Sequence, residues 1–265
     1  MRVTARWKLL SAALLPLIML GGCPAPPRVP TPAVPGTVSP APQPSPHVGA
    51  PYDIATDASL LTVLVYRGGT LASAGHNHVI ASHDLRGAVY VAQDRLQSSF
   101  EIHVPVATLT VDEASLRAQQ SGGDFPPDVP ASAQEGTRHN MLGAALLDAG
   151  NYPEIMLRAL SLERATGGEA DTNTVVAHVQ STVRDQVRTF TVPVQWQLSQ
   201  GTLDLTGTFA LRQSDLGLKP FSALLGALQV QDEMHVSFHI VARAAAVKSS
   251  DAAQRGVEVP FRILR

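Results

Sequence analysis

A single cysteine, Cys23, in a chain of 265 residues leaves no pair for an internal disulfide. Stability must come from backbone pairing and a buried core. Charge is also scarce: 16% of residues are charged and the formal net charge is −2. No basic patch or stripe stands out, which argues against nucleic acid as a partner. After Leu20 no stretch stays apolar for the roughly 20 residues that a membrane-spanning helix needs. Catalytic signatures are missing too. There is no Gly-x-Ser-x-Gly elbow and no phosphate-cradling glycine loop ahead of a helix. Asp84, Asp112 and Glu113 are the carboxylates available for acid–base work, but loop carboxylates are ordinarily solvated. These absences predict a binding protein, not an enzyme.

The first residues read as processing signals. Arg2, Arg6 and Lys8 form a positive start, and residues 9–20 form an apolar run. That run is short for a span and suits a secretory signal. It ends in Leu20-Gly21-Gly22-Cys23, which resembles a lipobox whose thiol receives the lipid. Residues 1–22 are therefore expected to be a lipoprotein signal peptide, with Cys23 as the lipid anchor. Each buried methylene of an acyl chain contributes about 0.8 kcal/mol to membrane retention, and two chains hold stably. Eleven of the 20 prolines lie between Pro24 and Pro51. Such a segment cannot bury a core and favours extended polyproline conformations. Residues 23–51 are thus expected to be a lipidated cysteine and spacer, reaching up to roughly 90 Å at about 3.1 Å per residue. A folded domain over residues 52–245 and a tail over 246–265 complete the chain. The expected location is the cell envelope, membrane-anchored and facing the periplasm or the cell surface. Pro24, standing where an aspartate would favour inner-membrane retention, points to the outer membrane.

The folded part reads as strand after strand. Residues 60–66, 87–91, 98–106, 155–162, 175–183, 187–198, 202–211 and 234–242 give eight strands joined by short turns. Alternation is cleanest late in the chain. Phe190, Val192, Val194, Trp196 and Leu198 share one face, and Thr189, Thr191, Gln195 and Gln197 the other. Met234, Val236, Phe238 and Ile240 repeat the pattern. One dry and one wet face per strand predicts an all-β antiparallel sandwich or barrel. Residues 131–149 carry Met141, Leu142, Ala145 and Leu146 at helical spacing, and 221–228 are a second helical candidate. Placed between strands, these helices could cover a barrel mouth.

Several segments together resemble the YceI-like family. They are Arg67-Gly68-Gly69 leading to Gly75-His76-Asn77-His78, Arg138-His139-Asn140-Met141-Leu142, Asp148-Ala149-Gly150-Asn151-Tyr152-Pro153-Glu154-Ile155, and Ser214-Asp215-Leu216-Gly217-Leu218. The resemblance covers nearly the whole folded domain. It implies a lipocalin-like, eight-stranded antiparallel barrel holding a long apolar molecule, such as a polyisoprenoid or a fatty amide, along its axis. The histidine-rich loop and the long Gly-, Asp- and Pro-rich segment 121–130 depart from the commoner family pattern.

On this reading the partners are an amphiphilic lipid ligand and, through the N-terminal anchor, a membrane. No cofactor is called for beyond a bound polyisoprenoid lipid, and nothing in the sequence sets an oligomeric state. Val63, Val65, Val89, Phe100, Ile102, Phe190, Val192, Trp196, Phe209 and Phe238 are the candidates for the tail. Arg138 and His139, with His76 and His78, are the candidates for the head group. His76, His78 and His83 are also the densest set of potential metal ligands, since residues at i and i+2 on a strand share a face. A metal-binding lipoprotein and a plugged, ligand-free interaction module both stay open at this point. A small barrel can be filled by its own side chains.

Overall fold

The computed structural model describes residues 47–120, 123–165 and 173–245. The expected signal peptide, Cys23, most of the spacer and the tail after residue 245 lie outside the described residues. Among the described residues, eleven of twelve strands combine into eight staves. β1 (Ala50–Ile54) and β2 (Leu60–Gly68) form the first, both running along one edge of the last strand. β3 (His78–Ser82) and β4 (Arg86–Val91) form the second, and β5 (Ser99–Pro105) with β6 (Thr110–Val111) the third. β7 (Glu154–Arg164), β8 (Thr174–Val183), β9 (Gln186–Ser199), β10 (Thr202–Arg212) and β12 (Leu228–Ala244) are single staves. Every stave pairs antiparallel with the one before it, and β12 closes on β1 and β2. The result is the expected eight-stranded antiparallel barrel. β1 begins at Ala50, so the barrel starts inside the segment read as spacer.

Side chains follow the pleat. On β2, Leu61, Val63 and Val65 point inward, while Leu60, Leu64 and Tyr66 point outward. β3 shows no alternation because both its faces are buried. Its outer residues, Val79 and Ala81, are covered by Leu116 and Phe125. That cover is the function of the long excursion after β6, which carries α1 (Ala114–Ala118) and the segment rich in Gly, Asp and Pro. Tyr66 meets Phe125 edge-on at 5.5 Å. On the inner face, Gly207 stands opposite Phe238, where a Cβ would lie 2.6 Å from the ring and 2.5 Å from the Pro193 carbonyl oxygen. Glycine there lets the Phe238 ring lie flat against β10.

The connections are distributed unequally. One end of the barrel holds the connections from β4 to β5, β7 to β8 and β9 to β10, beside the joint of β1 with β12. The other holds the β2–β3 loop, both α-helices, the tight β8–β9 turn at Arg184-Asp185, and the β10–β12 connection. α2 (Ala131–Leu142) stops at Gly143, short of the expected 149, and the chain then runs through turns to Asn151. Residues 221–228, read as a helix, form a tight hairpin instead. β11 (Ser222–Ala223) pairs with the start of β12, and Leu224 and Leu225 turn the corner with left-handed φ values of 50° and 55°. A single 3-10 turn, Leu224–Gly226, is all the helical structure this hairpin holds.

Candidate functional site

The barrel encloses a cavity of about 540 Å³, inside the usual range for ligand sites. The interior is therefore hollow, which decides against a barrel plugged by its own side chains. Its wall is aliphatic and aromatic. Val63, Val65, Phe100, Ile102, Phe190, Val192, Trp196, Phe209 and Phe238 all line it. Phe190 and Phe209 stack with centroids 6.1 Å apart. Val89, grouped with these from the sequence, faces the core but is not part of the cavity wall. It sits where β4 pairs with β1, near Leu203 and Ala242, which are wholly buried and fill that end. Leu198, on the same face as Trp196, lies past the floor and is exposed.

Most of the polar groups gather at the opposite end. His76, His78, Thr137 and Asn140 reach the cavity, as do Arg67, Gln213 and Gln229. Behind His78 stands a buried relay. The Nδ1 of His78 lies 2.6 Å from Asp112 Oδ2, and Asp112 Oδ1 accepts from the Val79 amide at 2.9 Å and from Arg117 Nη1 at 2.6 Å. Arg117 also donates to the carbonyls of Asn77 and Pro126, both at 2.8 Å. Both side chains of the Asp112–Arg117 pair are closed to solvent. Burial pushes the Asp112 carboxyl up, but the hydrogen bonds from His78, Val79 and Arg117 outweigh it and hold the group below the usual carboxylate range. A carboxylate at Asp112 accepts from Nδ1, so in the neutral ring Nε2 accepts from the Thr137 hydroxyl, 3.1 Å away. The relay thus fixes the orientation of His78 at the cavity surface.

Two sequence assignments are corrected. Arg138 and His139 do not reach the cavity. The face of α2 that does is Ala133, Gly136, Thr137, Asn140 and Met141, spaced by three and four residues. Arg138 lies off that stripe and donates to the carbonyls of Ala107 (2.9 Å) and Leu109, tying the helix to the turn before β6. His139 is exposed. The histidine triplet is split as well. His76 and His78 are neighbours with ring centroids 6.2 Å apart, but His83 follows the end of β3 and turns out to Glu113 at 3.0 Å. An odd offset of five along a strand reverses the face. Among the described residues, no group of three or more His, Cys, Asp or Glu side chains is placed to hold a metal ion. Asp112 was read as a solvated loop carboxylate and proves to be buried. Arg117, five residues on, was the signal available in the sequence.

A family model described as the YceI-like domain matches residues 52–242. The chain belongs to the YceI-like family. This is a family of binding proteins, not enzymes. No curated protein matches the chain in sequence. Among solved structures it is similar to BcnA of Burkholderia cenocepacia, with 17% identity over 71% of this chain and 99% of that one, at a TM-score of 0.50. A polyisoprenoid binding domain from Saccharophagus degradans implicated in plant cell wall breakdown also matches, at 11% identity, with 73% and 98% covered and a TM-score of 0.45. A YceI protein of Campylobacter jejuni matches at 8% identity, with 62% and 82% covered and a TM-score of 0.43. At these identities the likeness is one of fold.

Proposed function

We propose that this YceI-like protein is a carrier for a long amphiphilic lipid of the polyisoprenoid or fatty type, tethered to the cell envelope through Cys23. The enclosed apolar cavity with polar groups at one end carries this reading. An apolar chain inside it would gain roughly 25 cal/mol for each Å² removed from water. His76, His78, Thr137 and Asn140 supply the few directional groups that would fix a head. The family's binding role and the isoprenoid expectation drawn from the sequence motifs agree with this arrangement. The tether rests on the lipobox and the proline-rich spacer.

The protein purified from a native-like host, examined by native mass spectrometry before and after organic extraction, tests the carrier reading. A lipid adduct lost to solvent is the expected result. Ala177, wholly buried and on the cavity wall, offers a control: Ala177→Trp would fill the lumen and abolish the adduct. An empty wild-type protein that also refuses added polyprenols would overturn the reading. Labelled palmitate incorporated by the wild type but not by Cys23→Ala would establish the anchor.

A further inference from the structure

The barrel end that carries the polar groups also carries the most exposed large apolar side chains among the described residues. Leu225 is fully exposed and Leu224 is 67% exposed, with Leu71 and Phe221 beside them. These residues come from two loops that touch. The Leu71 amide donates to the Ala227 carbonyl at 2.7 Å, and Gly69 packs so closely that a Cβ there would lie 2.4 Å from the same oxygen. Val230 donates to the Phe221 carbonyl at 2.9 Å, holding the base of the hairpin. The patch is continuous with the cavity, because Phe221, Leu228 and Gly75 line its rim.

Three observations decide what covers this patch. First, Leu224 and Leu225 are consecutive non-glycine residues in the left-handed region, followed by Gly226. Asparagine or glycine would adopt that turn with less strain and would not expose leucine to water. Second, residues 67–83 and 216–231 contain no aspartate or glutamate, while Arg67 and Lys219 are exposed there. Third, the apolar tips surround the opening to an apolar lumen. Leucine tips with Arg67 and Lys219 beside them match the interface of an anionic bilayer, where apolar groups enter the acyl boundary and basic ones meet the head groups. The carboxylates of this end, Asp215 and Asp232 among them, lie outside the two loops that carry the tips.

We infer that the rim formed by Leu71, Phe221, Leu224 and Leu225 is a bilayer-docking surface through which lipid enters and leaves the barrel directly, without crossing water. The inference rests on the carrier reading, and its test separates the two. A single thiol at Leu225→Cys in the full-length chain carrying Cys23→Ser takes an environment-sensitive fluorophore, and Leu198→Cys at the opposite end serves as the control. With phosphatidylethanolamine–phosphatidylglycerol vesicles, the probe at 225 should shift to the blue and be quenched by brominated lipid, and the probe at 198 should not. Equal response at both sites, or none at 225, would overturn docking. Next, Leu224→Ser/Leu225→Ser should slow uptake of a dansylated polyprenol from vesicles by on the order of tenfold. Uptake of the same probe from detergent micelles should be unchanged. Equal vesicle uptake by variant and wild type would overturn docking while leaving the carrier reading intact. Failure of the wild type to take the probe from micelles would remove the carrier reading, and the docking inference with it.

Discussion

The two ends of the barrel solve the same closure problem by opposite means. At the end where β1 meets β12, apolar and aromatic side chains fill the interior: Val89, Leu203, Ala242 and the Trp196 floor. At the other end the long connections stand apart. The lumen stays open there, and the stabilising elements lie outside or in the rim: Asp112 and Arg117 under the excursion, and α2 tied down by Arg138. A barrel closed by packing at both ends would be a plug. Moving the hardware of one end out of the lumen leaves room for a ligand, and it sets the buried His78–Asp112–Arg117 relay beside that room.

The comparison can be broken most sharply at Arg117. Replacing it with leucine strands the Asp112 carboxylate, and such a loss costs about 3–5 kcal/mol. Equilibrium denaturation should show it, and Asp112→Leu in the same chain should recover most of it. A neutral single variant would mean that the open end is not held by this pair. At the closed end, Trp196→Ala should cost about 3 kcal/mol, the low end for a buried tryptophan, because one face of the ring already borders empty space. Its ligand binding should persist, since the deletion deepens the floor without touching the rim. Thr137→Val inverts this pattern. It leaves His78 Nε2 without its hydroxyl and should cost only about 1 kcal/mol of stability. Head-group affinity should fall by roughly tenfold in a titration with a polyprenol bearing a polar terminus. Purely apolar chains should bind it as they bind the wild type.

How far the sequence reveals this arrangement differs between the ends in the same way. Phe190, Val192, Val194 and Trp196 could be placed on one wall because a half-buried strand has to alternate. That rule also gave the eight staves and, through the family motifs, the barrel. It faltered where burial is two-sided or local. β3 is covered outside by Leu116 and Phe125, 35 or more positions after Ala81, so its five buried residues show no period. β6 and β11 are two residues each, too short for any pattern. Asp112 looked solvated because its neighbours are polar; its burial is created by the excursion folding back, a tertiary event. Arg138 and His139 were one helical phase from the truth, since Thr137 and Asn140 flank them in sequence and face the lumen. The relay behind His78 was hidden for the same reason: its members come from three separate segments.

The smallest effect expected is on pH dependence, and it again separates buried from surface chemistry. Asp112 is held below the usual carboxylate range in the folded state, so its contribution is complete above the unfolded value near pH 4 and fades as pH falls through the folded one. On the outer face of β5, burial would lower His103, but hydrogen bonds to Glu101 and Glu154 outweigh it and raise the imidazole. Stability from that group is complete below about pH 6.5 and is lost as pH rises through the folded value. The two losses lie on opposite sides of neutrality, so wild-type stability should fall off toward acid and, more gently, toward alkali. The alkaline arm should be shallow, because partly exposed pairs of this kind are worth about 0.2–1 kcal/mol, and salt should flatten it further. His103→Gln should remove the alkaline slope and leave the acid one. Thermal unfolding of both proteins from about pH 2 to pH 9 checks this. An alkaline slope that survived the substitution would move its origin to another histidine, and one that also vanished in Arg117→Leu would trace it to the relay at the open end.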